Sequence, residues 1–156
     1  MILFCDTSAL VKIYVAEAGS AEVKKLVAAA KAVAACRIAW AETHAALARR
    51  VREAPADAEA IDKAKRDLAR DWPRFLVIEV TQQVVERAAD YAETFALRGY
   101  DSVQLAAAHV LALEGGEPVT FACFDDRLNK AAKVLAMQTP FAPRPSVSAR
   151  LGPRSR

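Results

Sequence analysis

Four short, continuously apolar segments divide this 156-residue chain, and stretches with helical periodicity separate them. The segments are residues 2–5, 33–38, 75–80 and 119–124. Strands that are buried on both faces of a parallel sheet have this continuous apolar character, whereas half-exposed strands alternate apolar and polar residues. The pattern therefore predicts an α/β fold: a three-layer α/β/α sandwich around a central, mostly parallel sheet of four to five strands. A short fifth strand is expected at residues 138–141.

The segments between the strands predict seven helices. The expected spans are residues 8–17, 21–31, 39–53, 55–71, 82–97, 103–113 and 128–135. Ser20 and Thr81 are residue types that favour the N-cap position of a helix, so we expect them to precede the second and fifth helices. Gly99 is expected to end the fifth helix, and Asp101 and Ser102 are expected to open the sixth.

Charge is unevenly distributed between the body of the chain and its last residues. The net charge is +3, from 22 basic and 19 acidic residues, but residues 141–156 hold four arginines and no acid. The rest of the chain therefore carries one net negative charge, unlike a protein that holds duplex DNA through phosphate contacts alone. We expect one domain at residues 1–140 and a flexible, basic, Pro- and Arg-rich tail at residues 141–156.

The composition also indicates the cellular compartment in which the protein is expected. No apolar run approaches the roughly 18 residues that a membrane-spanning helix needs, and the N-terminus lacks the basic region of a secretory signal. Three cysteines, Cys5, Cys36 and Cys123, fall in predicted strands without a Cys-x-x-Cys pair, which favours buried, reduced thiols and a cytoplasmic location. The two histidines have no spaced partner ligands, which argues against a zinc site.

Four acidic residues occupy positions that the predicted topology brings together. Asp6 and Asp125 directly follow two of the apolar strands, and Glu42 and Asp101 fall in the first turns of two helices. In a parallel sheet, strand ends and the helix starts that follow them share one edge, where ligands bind. Each acid taken singly also fits a capping or solvated position, because acids are favoured at helix N-termini.

Clustered carboxylates repel one another unless a cation neutralises them. Mg²⁺ and Mn²⁺ prefer oxygen ligands, and a bound cation of this kind activates water and offsets charge on a phosphate in the transition state. Phosphodiester hydrolysis is the chemistry that most needs such a site. A haloacid-dehalogenase phosphatase needs a second Asp where Ser8 stands, and a receiver domain needs an acid pair after its first strand, so both fit poorly.

Four motifs resemble those of PIN domains and cover roughly residues 1–140. Residues 6–12 resemble the opening motif, in which an apolar strand ends in Asp-x-Ser. Residues 40–42 resemble the motif of the internal glutamate, and residues 99–108 resemble the motif in which an aspartate opens an alanine-rich helix. Residues 120–128 are similar to the last motif, a strand followed by an acid, Arg and Leu. Chain length and motif spacing most resemble the VapC-type toxins of this family.

The resemblance implies a divalent-metal-dependent endoribonuclease that uses Mg²⁺ or Mn²⁺ and is the toxin of a toxin–antitoxin pair. It implies a catalytic and metal-binding quartet of Asp6, Glu42, Asp101 and Asp125, with Ser8 supporting the site. Cys123 stands where the family usually has Thr or Ser, and Asp126 is also acidic, so either Asp125 or Asp126 can face the metal. We favour Asp125, which is nearer the strand end.

The same resemblance implies an RNA substrate, often a tRNA or rRNA loop, a homodimer, and a small VapB-type antitoxin that folds against the groove. Two alternatives stay open within the family: a non-toxin PIN nuclease that acts in RNA processing, and a non-catalytic PIN-like binding module. Loss of one of the acids would be typical of the binding module, and none is missing here.

Overall fold

The structure, a computed structural model, describes residues 1–142 of the chain. Its centre is a sheet of four strands: β1 (Ile2–Cys5), β2 (Ala32–Cys36), β3 (Leu76–Ile78) and β4 (Val119–Ala122). The strand order is β3-β2-β1-β4, and every neighbouring pair is parallel. The chain thus moves outward from β1 to β3 and then returns to the other side of β1, which creates a topological switch point between β1 and β4.

Seven α-helices flank this sheet within the described residues. They are α1 (Thr7–Tyr14), α2 (Ser20–Ala29), α3 (Ala39–Glu53), α4 (Ala58–Asp71), α5 (Gln82–Phe95), α6 (Gly99–Glu114) and α7 (Asp126–Val134). A single turn of 3-10 helix at Pro55–Asp57 precedes α4, and another at Trp72–Arg74 follows it. No helix in residues 1–142 is long and apolar enough to cross a membrane.

The core lies on both faces of the sheet because successive strand residues point to opposite sides. Phe4 of β1 packs in one cluster that includes Leu105 of α6 and Leu128 of α7. Leu3, its neighbour, packs in the other cluster, which includes Leu68 of α4. Helices therefore cover both faces of the sheet, and the predicted three-layer α/β/α sandwich is confirmed.

The turn before α2 differs in detail from its prediction. Ser20 is the first residue of α2 and not its N-cap; its hydroxyl donates to the Val15 carbonyl over 2.8 Å and accepts from the Glu17 amide over 3.0 Å. Gly19 takes the N-cap position with φ 88°, in the left-handed region that favours glycine. A Cβ at Gly19 would also lie 2.8 Å from the Phe124 ring, so this turn is packed against the end of β4.

The boundary between α5 and α6 was also predicted at the wrong residue. Ala96, with φ 52°, ends α5, and Gly99 begins α6 instead of ending the helix before it. Arg98 is the N-cap of α6 and has an extended backbone. Asp101 therefore lies inside the first turn of α6, two residues after the helix begins.

After α7 the chain forms less regular structure than the expected fifth strand. Up to residue 142, where the described chain stops, only one parallel bridge forms there, between Thr120 and Gln138. Three residues later, the Phe141 ring stacks on the Phe124 ring, with centroids 4.4 Å apart and planes inclined by 16°. Residues 143–156, which include nearly all of the predicted tail, lie outside the described residues.

Candidate active site

Asp6 lies at the centre of the carboxyl edge of the sheet. It directly follows β1, is only 6% exposed, and serves as the N-cap of α1. Its Oδ1 accepts hydrogen bonds from the Ala9 amide over 3.0 Å and from the Ser8 hydroxyl over 2.7 Å. The sequence folds this way because an acid after a strand satisfies the free amides of the helix that begins there.

Cys123 and Ser8 connect this acid to the end of β4. The Cys123 thiol donates to Oδ2 of Asp6 over 3.1 Å and accepts a hydrogen bond from the Asp125 amide over 3.2 Å. The Ser8 hydroxyl, which donates to Asp6, accepts from the Phe124 amide over 3.0 Å. The ends of the two strands at the switch point are thus held in one hydrogen-bond network around Asp6.

Glu42 reaches the same edge from the first turn of α3. Its Oε2 accepts a hydrogen bond from the Thr7 hydroxyl, and another from Nε2 of Gln104 over 2.7 Å. Thr7 begins α1 and Gln104 lies on α6, so the position of Glu42 is fixed by two other elements.

Asp101 lies in the first turn of α6 and makes no side-chain hydrogen bond with other residues in the described part of the chain. It lines an open groove of about 540 Å³ together with Glu42, Arg98, Gly99, Tyr100 and Val103. Tyr100 beside it is 65% exposed, which is unusual for a large aromatic side chain. Two of the predicted acids therefore share one groove.

Asp125 is the N-cap of α7, and its Oδ1 accepts from the Leu128 amide over 2.9 Å. Asp126 is the first residue of that helix, and both side chains are exposed. The charge of Asp125 raises the pKa of Asp101, and no comparable effect of Asp126 is found. Asp125 is therefore close enough to Asp101 for their charges to interact.

Burial and mutual repulsion raise the pKa values of two of these acids. Burial, opposed by the hydrogen bonds from Ser8 and Cys123 and reinforced by the charge of Asp101, raises the pKa of Asp6 to about 6. Burial also raises the pKa of Asp101, followed by the charges of Asp125 and Glu42, while Arg98 opposes the rise. The four acids thus interact through their charges, as expected for one anionic site.

The chemistry of this donor set fits a hard divalent cation. All four groups are carboxylates, the oxygen ligands that Mg²⁺ and Mn²⁺ prefer, and a cation would relieve their mutual repulsion. In residues 1–142, no three His, Cys, Asp or Glu side chains stand at direct ligand spacing. Rotamer changes, or water molecules of the kind that Mg²⁺ usually retains, would complete the coordination.

Two residues of this edge were missed by sequence reasoning, and so were the hydrogen bonds of a third. Thr7 and Gln104 were not predicted to contact the site. Cys123 was predicted to be a buried thiol at the position where the family usually has Thr or Ser, and it is buried, but its hydrogen bonds to Asp6 and Asp125 were not predicted. A signal existed for Gln104, because it is a buried polar side chain in an otherwise apolar stretch of α6, three residues after Asp101.

A parallel α/β/α sandwich with acids gathered at the switch point of its sheet is consistent with a small domain that acts on phosphate esters, as nucleases do. The family profile described as PIN domain matches residues 3–134 of this chain. The chain belongs to the PIN domain family.

Sequence comparison with individual proteins shows which type within that family this chain resembles. The chain is 33% identical over 132 residues to Ribonuclease VapC45 and to Ribonuclease VapC49 of two Mycobacterium tuberculosis strains. The match covers 84% of this chain and 89% of each relative. The predicted resemblance to VapC-type proteins is confirmed.

Solved structures show the same fold at low sequence identity. A toxin–antitoxin complex from Klebsiella pneumoniae matches with a TM-score of 0.58 and 17% identity, covering 80% of this chain and 87% of that one. VapBC2 from Rickettsia felis, bound to a DNA fragment from its promoter, matches with a TM-score of 0.58 and 14% identity. That match covers 89% of this chain and 97% of the other. These structures support the fold assignment.

Proposed function

We propose that this protein is a divalent-metal-dependent endoribonuclease that hydrolyses phosphodiester bonds in RNA, and that it is the toxin of a VapBC-type toxin–antitoxin pair. The observation that carries the proposal is the placement of acids from different elements at one end of the sheet: Asp6 after β1, Glu42 on α3, Asp101 on α6 and Asp125 after β4. The ribonuclease names of the VapC relatives supply the substrate class.

Asp6, Glu42, Asp101 and Asp125 would hold the cation, which when bound supplies an activated water and neutralises charge on the phosphate. Other residues of the chain hold these acids in place. Ser8 and Cys123 hold Asp6 in place at the end of β1, and the Leu128 amide holds Asp125. Asp126 lies beside this site as a supporting charge. Preorganised carboxylates of this kind avoid the cost of rearranging during the reaction.

The groove beside Asp101 suits a single strand of RNA. Tyr100 exposes an aromatic face on which an unpaired base can stack, and the Arg98 side chain is exposed at the groove and free of ion pairs in the described part of the chain. We assign the substrate to exposed loops of structured RNA such as tRNA or rRNA. A cationic residue at the entrance of an anionic groove offsets repulsion between phosphate and carboxylates.

The partner proposed for this chain is a VapB-type antitoxin. The Klebsiella pneumoniae and Rickettsia felis structures that share the fold are complexes of toxin with antitoxin. Coexpression with the product of a short neighbouring reading frame should yield one stable complex, and its toxin should be inactive until released. We also propose a homodimer, which light scattering of the free protein would test.

Cleavage of a single-stranded RNA by the purified protein tests the catalytic proposal. We expect cleavage with Mg²⁺ or Mn²⁺ and none with EDTA. Asp6→Asn should reduce the rate by at least about a hundredfold without unfolding the chain, because it removes a charge and leaves the core intact. Asp90→Asn, an equal charge change at an exposed position of α5, is the matched control. Equal cleavage by the wild type and Asp6→Asn would contradict the proposal and indicate a contaminating nuclease.

A further inference from the structure

Three side chains from three helices form a closed hydrogen-bonded triangle beside the groove. Thr7 of α1 donates to Oε2 of Glu42, and Nε2 of Gln104 donates to the same Oε2 over 2.7 Å. The other Nε2 hydrogen of Gln104 is donated to the Thr7 hydroxyl over 3.1 Å. Each member therefore restrains the other two, although Thr7 and Gln104 are 97 positions apart in the chain.

The triangle orients the Glu42 carboxylate. Both donors bind to Oε2, and within residues 1–142 no protein group donates to Oε1. Glu42 lines the groove beside Asp101, and its charge acts on that acid. One oxygen is thus held by the protein, while the other is left free at the anionic groove.

Packing does not explain the presence of Gln104. The side chain is only 2% exposed and lies in an otherwise apolar stretch of α6, between Val103 and Leu105. Its Oε1 is buried and has no hydrogen-bond partner in the described part of the chain. An unpaired buried amide oxygen destabilises a fold, and leucine or methionine would fill the same volume without that cost. The hydrogen bonds that its amide group donates to Glu42 and Thr7 therefore explain this polar residue better than packing does.

We propose that Thr7 and Gln104 are positioning residues that hold Glu42 in the orientation needed to bind the divalent cation or its water ligands. This inference rests on the proposed metal-dependent ribonuclease function and deepens it. Groups that orient the ligands of a metal typically contribute 10- to 100-fold to its affinity or to activity.

Mn²⁺ binding by the RNA-free protein, followed by calorimetry, tests the inference without relying on cleavage. Thr7→Val removes the hydroxyl but keeps the shape, and Thr7→Ser is the matched control because it keeps the hydroxyl. We expect Thr7→Val to weaken Mn²⁺ binding by about 10- to 100-fold, and Thr7→Ser to bind within about threefold of wild type. Gln104→Leu should weaken binding to a similar extent while melting at or above the wild-type temperature.

A double-mutant cycle separates positioning from a general loss of structure. In a Glu42→Ala background the triangle is already broken, so Thr7→Val and Gln104→Leu should cause no further loss of Mn²⁺ affinity. Additive losses in that background would overturn the inference. So would wild-type affinity in both single variants, and in that case the ribonuclease proposal would still stand.

Two further outcomes are also decisive. If Gln104→Leu fails to fold, the Thr7→Val and Thr7→Ser pair settles the question alone. If the wild type neither binds Mn²⁺ nor cleaves RNA, the proposed function fails, and the positioning role fails with it.

Discussion

The Cys123 thiol donates a hydrogen bond to Oδ2 of Asp6 over 3.1 Å and accepts one from the Asp125 amide over 3.2 Å. One side chain therefore joins the acids at the ends of β1 and β4, on either side of the switch point. Burial, with the nearby charge of Asp6, raises the pKa of this thiol above its ordinary value, so it stays protonated and available as a donor. Because a thiol is a weak donor, this position stabilises the Asp6 carboxylate less than a hydroxyl would.

The cleavage activity of Cys123 variants should therefore follow the hydrogen-bonding capacity of the new side chain. Cys123→Ser keeps a donor and an acceptor, and we expect cleavage of RNA within about threefold of wild type. Cys123→Ala leaves Oδ2 of Asp6 without its donor and the Asp125 amide without its acceptor, so kcat/KM should fall by at least about tenfold. Cys36→Ala, at a buried free cysteine with no side-chain hydrogen bond to Asp6 or Asp125 in residues 1–142, is the control. Equal activity of the Ser and Ala variants at Cys123 would show that the thiol has no positioning role.

The raised pKa of Asp6 predicts how the stability of the metal-free protein depends on pH. The pKa is about 6 in the folded protein and 3.8 for an ordinary aspartate, so the folded state keeps this proton after the unfolded chain has lost it. The free energy of unfolding should therefore fall as the pH rises from about 4 to about 6, by roughly 2–3 kcal/mol from this group. Asp101, whose pKa is also raised, contributes with the same sign.

Urea denaturation in EDTA at pH 4.5 and pH 7 measures this effect. Asp6→Asn removes the titrating group, so its loss of stability between these pH values should be smaller than that of wild type. At pH 7 the variant should be more stable than wild type, by roughly 1–2 kcal/mol. Asp90→Asn controls for a change in net charge. The same pH dependence in wild type and Asp6→Asn would show that the Asp6 carboxyl titrates normally.

The positions of most of the acids were predictable because they follow from backbone topology. Asp6 and Asp125 follow apolar strands, and parallel strands bring their carboxyl ends to one edge. Glu42 was placed by the same rule, because α3 follows β2 and so begins at that edge. Asp101 was not, because α6 follows α5 and not a strand, and its place was indicated by the resemblance of its motif. Sequence reasoning sufficed wherever burial and strand order determined the answer.

The hydrogen-bond partners of the acids were not predictable in this way. Gln104 lies in an apolar stretch of α6, where periodicity indicates only that it is buried, and no pattern links it to Thr7 or Glu42. The predicted end of α5 and start of α6 were misplaced because glycine is the residue type that usually follows the end of a helix. In the structure, Ala96 adopts the left-handed conformation that ends α5, and Gly99 begins α6. Such details depend on tertiary packing and not on local preference.

Tyr100 offers a test of how the substrate binds. Its side chain is 65% exposed in the groove beside Asp101, and stacking of an RNA base on an aromatic ring contributes about 1–3 kcal/mol. Tyr100→Ala should therefore raise KM by about fivefold or more with a smaller change in kcat, and Tyr100→Phe should keep the wild-type KM. Leu113→Ala, at another exposed apolar position of α6, is the matched control. An unchanged KM in Tyr100→Ala would place the bases elsewhere.

The stack of Phe141 on Phe124 predicts where the folded part of the chain can be cut. Phe124 also lies 4.7 Å from the Lys12 ammonium and packs against Gly19, so its ring joins the end of β4 to the turn before α2. A chain that ends at residue 142 keeps both rings and should melt close to the full-length protein. Phe141→Ala in that shortened chain should reduce the free energy of unfolding by about 1–3 kcal/mol, from the lost aromatic pair and the lost apolar burial. Thermal melts of the full-length protein, the shortened chain and its Phe141→Ala variant measure both effects. A large loss of stability on removing residues 143–156 would show that they stabilise the domain. An unchanged melting temperature of the Phe141→Ala chain would show that the stack contributes nothing.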